Sequence, residues 1–139
     1  MTFEVLSDVN WIAVLVATIV WFVLGAGWYI APPIATRWVR AGGIEMPEDA
    51  SPDPKVFVLT LVVYFVVAVG TAMLAVATGT DTAGEGAVLG AIVGGVLVCA
   101  AAISAIYDQK PEPLNYLWIN GFFNLVALIV VGVIIGAWN

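Results

Sequence analysis

Histidine is missing from this 139-residue chain, cysteine occurs once, and only 10% of the residues are charged. The first absence removes the usual general base, the usual pH switch and the commonest metal ligand. The second excludes, by count, an intrachain disulfide and a thiolate metal site. Cys99 itself stands inside an apolar run and reads as a small core hydrophobe. No cofactor or metal is called for. The third shortage is the broadest. Soluble domains average roughly 25% charged residues, so this chain falls in the membrane class before any motif is read. Among the charged residues the basic ones are the scarcer, with four Lys and Arg against ten acids. Binding to nucleic acid needs many Lys and Arg to neutralise phosphate, which makes nucleic acid an improbable partner.

What is present is apolar: 63% of residues are hydrophobic, and the mean hydropathy is +1.07. Charge-free runs cover residues 9–30, 56–79, 86–107 and 115–138. Each reaches the roughly 20 residues that cross about 30 Å of hydrocarbon. None alternates polar with apolar, as the strands of a membrane barrel would. The fold expected is therefore all-α: one integral membrane domain over residues 1–139, a four-helix bundle whose partner is the lipid bilayer. The first run is too long for the core of a signal peptide, and Glu4 and Asp8 stand where such a peptide carries basic residues.

Arg37, Arg40 and Lys55 lie between spans one and two, and Lys110 between spans three and four. Put on one side by the positive-inside rule, they make loops 31–55 and 108–114 cytoplasmic and both termini external in a multi-pass cell-membrane protein. Trp11 and Trp138 then fall at the outer interface; Trp28, Tyr29, Tyr107, Tyr116 and Trp118 fall near the inner one as anchors. Pro32 and Pro33 end the first span. Ile34–Ala41 reads as a short amphipathic helix on the inner surface, closed by Gly42-Gly43. Glu45–Pro54 is acidic and reads as irregular, and Asp108 and Glu112 read as solvated loop charges.

Three features on the spans bear on function. Asn10, Val14, Ala17, Trp21, Gly25 and Trp28 recur at helical spacing. Trp21, at mid-membrane, needs a packing partner or a hydrogen-bond acceptor. On the second span Thr60, Tyr64, Thr71 and Thr78 project within about 40° of one another. Such hydroxyls either bond their own i−4 carbonyls or line a cavity. On the fourth span Asn120 and Asn124 are an i,i+4 pair, read either as interhelical glue or as a polar site for an ion, water or small neutral ligand. Helical rise puts Tyr64, Asn120 and Asn124 at matching depth, so the sequence predicts a Tyr64–Asn120–Asn124 cluster.

Small residues form ridges. Gly86, Gly90 and Gly94 repeat Gly-x-x-x-Gly on the third span, beside Ala87, Ala91, Gly95 and Cys99; Gly132 and Gly136 do so on the fourth. In lipid such ridges let backbones approach closely. They place the third span at the centre of the bundle or at a subunit interface, and predict a homo-oligomer through the third or fourth span.

Residues 10–17 (Asn-Trp-Ile-Ala-Val-Leu-Val-Ala), residues 22–29 (Phe-Val-Leu-Gly-Ala-Gly-Trp-Tyr), residues 121–125 and residues 132–138 (Gly-Val-Ile-Ile-Gly-Ala-Trp) carry a resemblance. The chain resembles the domain-of-unknown-function 1761 family of small bacterial and archaeal membrane proteins. The resemblance implies a four-helix integral membrane protein of this length and carries no activity with it. Where the family pattern leads one to expect His in the last helix, this chain has Asn124.

Two functions compete. The favoured one is a self-associating structural or accessory membrane component. The other is a small-solute transporter or channel with a neutral polar path along the second and fourth spans. Ion pathways usually carry intramembrane acids or bases, and all ten acids here lie outside the runs. An enzyme is not expected, since no acid, base, nucleophile or metal set is positioned for chemistry.

Overall fold

The computed structural model describes residues 3–45 and 53–139. The acidic stretch expected to be irregular falls mostly on residues 46–52, outside the described residues. A 3₁₀ turn, Phe3–Ser7, precedes five helices: α1 (Trp11–Ile30), α2 (Pro32–Gly42), α3 (Pro54–Thr78), α4 (Ala83–Tyr107) and α5 (Pro113–Ala137). The described residues contain no strand. Helices α1, α3, α4 and α5 are each long and apolar enough to cross a membrane, so the chain is a multi-pass membrane protein with a four-helix bundle.

Local chemistry sets the ends. Asn10 caps α1, its Oδ1 accepting from the Ala13 N–H at 3.2 Å. The chain breaks at Ala31, and Pro32 occupies the first turn of α2, where a missing N–H costs nothing. Gly43, at φ +64°, closes α2 in the left-handed conformation that glycine tolerates, and Gly79, at φ +68°, closes α3 in the same way. Three spans start two or three residues before their charge-free runs, because Asp53 with Pro54, Thr82, and Pro113 open helices inside polar sequence.

The two ends of the bundle are tied separately. At the end holding both termini, Asn10 Nδ2 donates to the Trp138 carbonyl at 2.6 Å, and Asn139 Nδ2 donates to the Thr80 carbonyl at 3.0 Å. At the other, basic end, Arg40 Nε meets Glu112 Oε1 at 2.7 Å, and the Glu112 N–H donates to the Ala41 carbonyl at 3.3 Å. Those bonds join α2 to the α4–α5 connector. Glu112 is thus a tie between loops rather than the free solvated charge expected from sequence. Asn115 Nδ2 also donates to it at 2.6 Å. The Asn115 carboxamide first, and the Arg40 guanidinium after it, hold the Glu112 carboxyl below the usual carboxylate range.

The centre of the bundle is α5, not the glycine-rich α4. Helix α5 touches every other α-helix, whereas α4 packs on α5 and, lightly, on α3. Gly86, Gly90 and Gly94 of α4 meet Gly132, Gly136, Leu128 and Leu125 of α5 along a backbone-to-backbone seam. A Cβ on Gly132 would stand 2.9 Å from the Gly90 Cα, and one on Gly94 3.0 Å from the Leu125 Cα. Bare backbones gain dispersion and Cα–H···O contacts at that range. The ridge is used up inside the chain, so it leaves no face there for a second subunit. The neighbouring ridge points outward: nothing lies within 4 Å of a Cβ built on Gly95, and Cys99 is exposed rather than in the core.

Candidate functional site

Trp21, Tyr29, Tyr64 and Asn120 gather at the basic half of α1, α3 and α5, around Gly25. Trp21 is 1% exposed, and its indole stacks on the Tyr64 ring, centroids 4.0 Å apart and planes within 1°. That stacking is the packing partner mid-membrane Trp21 needed; its Nε1–H has no acceptor among the described residues, nor have those of Trp28 and Trp38. Gly25 makes room for two side chains at once. A Cβ there would lie 3.3 Å from Phe123 Cζ and 3.4 Å from the Tyr64 hydroxyl. Phe123 also meets Trp28 and Tyr29, with ring centroids at 6.1 and 5.3 Å. Trp28 and Tyr29 therefore pack inward, while Tyr107 and Trp118 stay exposed as interfacial rings would.

No hydrogen bond joins Tyr64, Asn120 and Asn124 to one another among the described residues. The tyrosine that reaches Asn120 is Tyr29, whose hydroxyl donates to Asn120 Oδ1 at 2.8 Å. Asn120 Nδ2 donates to the Tyr116 carbonyl at 2.9 Å. The reason is directional. Helix side chains lean toward their own N-terminus. On α1 that carries Tyr29 away from the basic end, and on the antiparallel α5 it carries Asn120 toward it, so the two converge. Matching Cα depth favoured Tyr64 and missed Tyr29. The lean of the side chains is the signal that could have found it. Tyr64 is instead committed to Trp21, and its hydroxyl has no hydrogen bond among the described residues.

Asn124 also has no hydrogen bond among the described residues, although it is half-buried. The threonines bond back within their own helices. Thr60 donates to the Val56 carbonyl, Thr71 to Val67 and Thr78 to Leu74, at 2.7 to 2.9 Å. Thr18 does the same to Val14 on α1. Bonding back to i−4 satisfies each hydroxyl within its own helix.

Chemically the site offers carboxamide, phenol and indole groups. A carboxamide does not titrate, and a phenol ordinarily does so only near pH 10. The set can hydrogen-bond a neutral polar group but offers no ready proton transfer near neutrality. No three Cys, Asp or Glu side chains converge on one point among the described residues. A separate groove of about 250 Å³ runs along the α4–α5 pair, lined by Val98, Leu114, Leu117, Trp118, Gly121, Phe122 and Leu125. It forms where leucines succeed glycines along the seam, and none of the site's polar side chains lines it.

Neither curated proteins nor solved structures give a match to this chain. Residues 12–136 match the family described as "Protein of unknown function (DUF1761)", a span that takes in all four membrane helices but for the first residue of α1 and the last of α5. The chain thus belongs to the DUF1761 family of proteins of unknown function.

Proposed function

We propose that the protein is a non-catalytic structural or accessory component of the cell membrane that acts by associating with further copies of itself. The observation that carries this reading is where the polar groups go. Thr18, Thr60, Thr71 and Thr78 bond their own helices, and both Asn120 groups are taken by Tyr29 and the Tyr116 carbonyl. That leaves few free groups for a solute to follow. Meanwhile α3 and α4 present long rows of apolar side chains outward, among them Val62, Val66, Val88, Ile92 and Val96. The basic end, with Arg37, Arg40, Lys55 and Lys110, faces the cytoplasm in this reading, and both termini face out.

Subunit counting tests it. Single-molecule photobleaching of the full chain in phospholipid vesicles is expected to show dimers or larger species that grow with protein density. Monomers at every density would sink the reading. A neutral-solute path along α3 and α5 is the second reading, favoured by the free Tyr64 hydroxyl and the free Asn124 carboxamide. It requires that vesicles holding the chain take up small neutral solutes faster than empty ones, and that Asn124→Leu abolishes the difference.

A further inference from the structure

Self-association, if it is the function, needs a surface, and the Gly86–Gly90–Gly94 ridge is already covered by α5. Asn124 points to another. At 100° per residue it falls between Ala127 and Leu128, on the face of α5 that is buried over the rest of the helix toward the termini. Those neighbours are 1% and 0% exposed, while Asn124 keeps partial exposure and makes no hydrogen bond among the described residues. The packing therefore opens at this point.

Two further exposures show how. Residues 53–59, the first turns of α3, are exposed all the way round, including Phe57 at 43% and Leu59 at 65%. On α4, Ala100 continues the core-facing line of Leu89, Val93 and Leu97, yet it is exposed. Toward the basic end α3 thus draws away from the α4–α5 pair. Asn124 lies on α5 where the fully buried positions give way, toward the basic end, to partly exposed ones.

We propose that a second copy of the chain packs against the bundle here, the two Asn124 carboxamides pairing across a two-fold axis. Depth narrows the occupant. Asn124 is eleven residues past Pro113, about 16 Å along the helix, beyond the headgroups and in the hydrocarbon, where an unpaired amide finds no water. A carboxamide carries both a donor and an acceptor. Two related by a two-fold axis satisfy each other, each Nδ2–H donating to the partner copy's Oδ1, and a two-fold interface needs only one patch used twice. Polar side chains act as such glue between membrane helices. The inference rests on the self-association reading and gives it a location.

The experiment uses the full chain in phospholipid vesicles, with dimerisation read by energy transfer between terminal labels. Asn124→Leu is expected to raise the dimer dissociation constant about tenfold, and Asn124→Gln, which keeps the amide, to stay within about threefold. In a Cys99→Ser background, Asn124→Cys is expected to form an intermolecular disulfide on mild oxidation, which tests proximity without relying on the Leu variant folding. A wild-type dimer that is unmoved by Asn124→Leu, or that gives no crosslink at position 124, overturns the proposal and leaves self-association standing. If Gly95→Leu instead breaks the dimer, the outward ridge of α4 is the interface. If solute uptake is lost while the dimer persists, Asn124 belongs to a path. A monomeric wild type removes the self-association reading and this inference together.

Discussion

At the end holding both termini, α4 and α5 meet backbone to backbone; at the basic end, α1, α3 and α5 meet ring to ring. The first contact works because side chains are missing. Gly86, Gly90, Gly132 and Gly136 leave nothing between the helices, and the helices cannot separate by one methyl without losing the seam. The second works because large side chains fill a gap. Trp21, Tyr64, Phe123 and Tyr29 fill the space between α1, α3 and α5, and they bring polar atoms with them. The seam is specific and chemically blank. The joint is looser, and it holds the chain's candidate polar site.

The comparison can be broken from either side. The largest effect belongs to the seam. Gly90→Leu would drive a side chain into the Leu128 carbonyl and the Ile129 backbone, where nothing flexible can yield. A loss of at least about 3 kcal/mol is expected, read by denaturation in mixed micelles, since overpacking against backbone lies at the upper end of its range. Gly95→Ala is the control. It meets nothing within 4 Å and is expected to change stability by less than about 0.5 kcal/mol. If both variants behave alike, the seam is not what holds α4.

Trp21→Ala comes next, on the side of the joint. Removing the largest fully buried side chain should cost about 3 kcal/mol through the cavity it leaves. Trp21→Phe should cost clearly less, because the indole N–H it removes has no acceptor among the described residues. Near-ultraviolet circular dichroism should report loss of the Trp21–Tyr64 stack in both. A Trp21→Phe variant as weak as Trp21→Ala would mean that the indole nitrogen is bonded after all.

Tyr29→Phe isolates one hydrogen bond, and about 1 kcal/mol is expected, the usual worth of such bonds between membrane helices. The double variant with Asn120→Leu should lose less than the sum of the two single variants. Full additivity would show that the two groups do not interact.

The smallest effect concerns the tie across the basic end. Glu112 has its carboxyl pulled down by Asn115 and by Arg40 in the folded chain. A group with a depressed folded pKa stabilises above the ordinary carboxylate range and loses that contribution as pH falls through its folded value. Thermal stability of the wild type should therefore decline slightly below about pH 4, and Glu112→Gln should flatten that decline. Equal slopes for the two would remove Glu112 from the account of the loops.

Much of this molecule is settled by composition and period alone. Four runs without charge, each long enough to cross a bilayer, leave the backbone no way to satisfy its polar groups except as helices. Proline and glycine then mark the ends: Pro32 restarts the chain after α1, and Gly43 and Gly79 stop α2 and α3. The threonines bonding back to i−4 are equally local, since donor and acceptor lie on one helix. What only the tertiary structure decided is which helix each face meets. Gly86-x-x-x-Gly90 announces a close approach but not its partner, and the partner is α5 within the same chain. Asn120 and Asn124, one turn apart and identical in kind, end differently, one bonded to Tyr29 and the other without a hydrogen bond among the described residues. Side-chain lean and helix splay separate them. Both depend on how antiparallel helices sit against one another, and no single run of sequence carries that information.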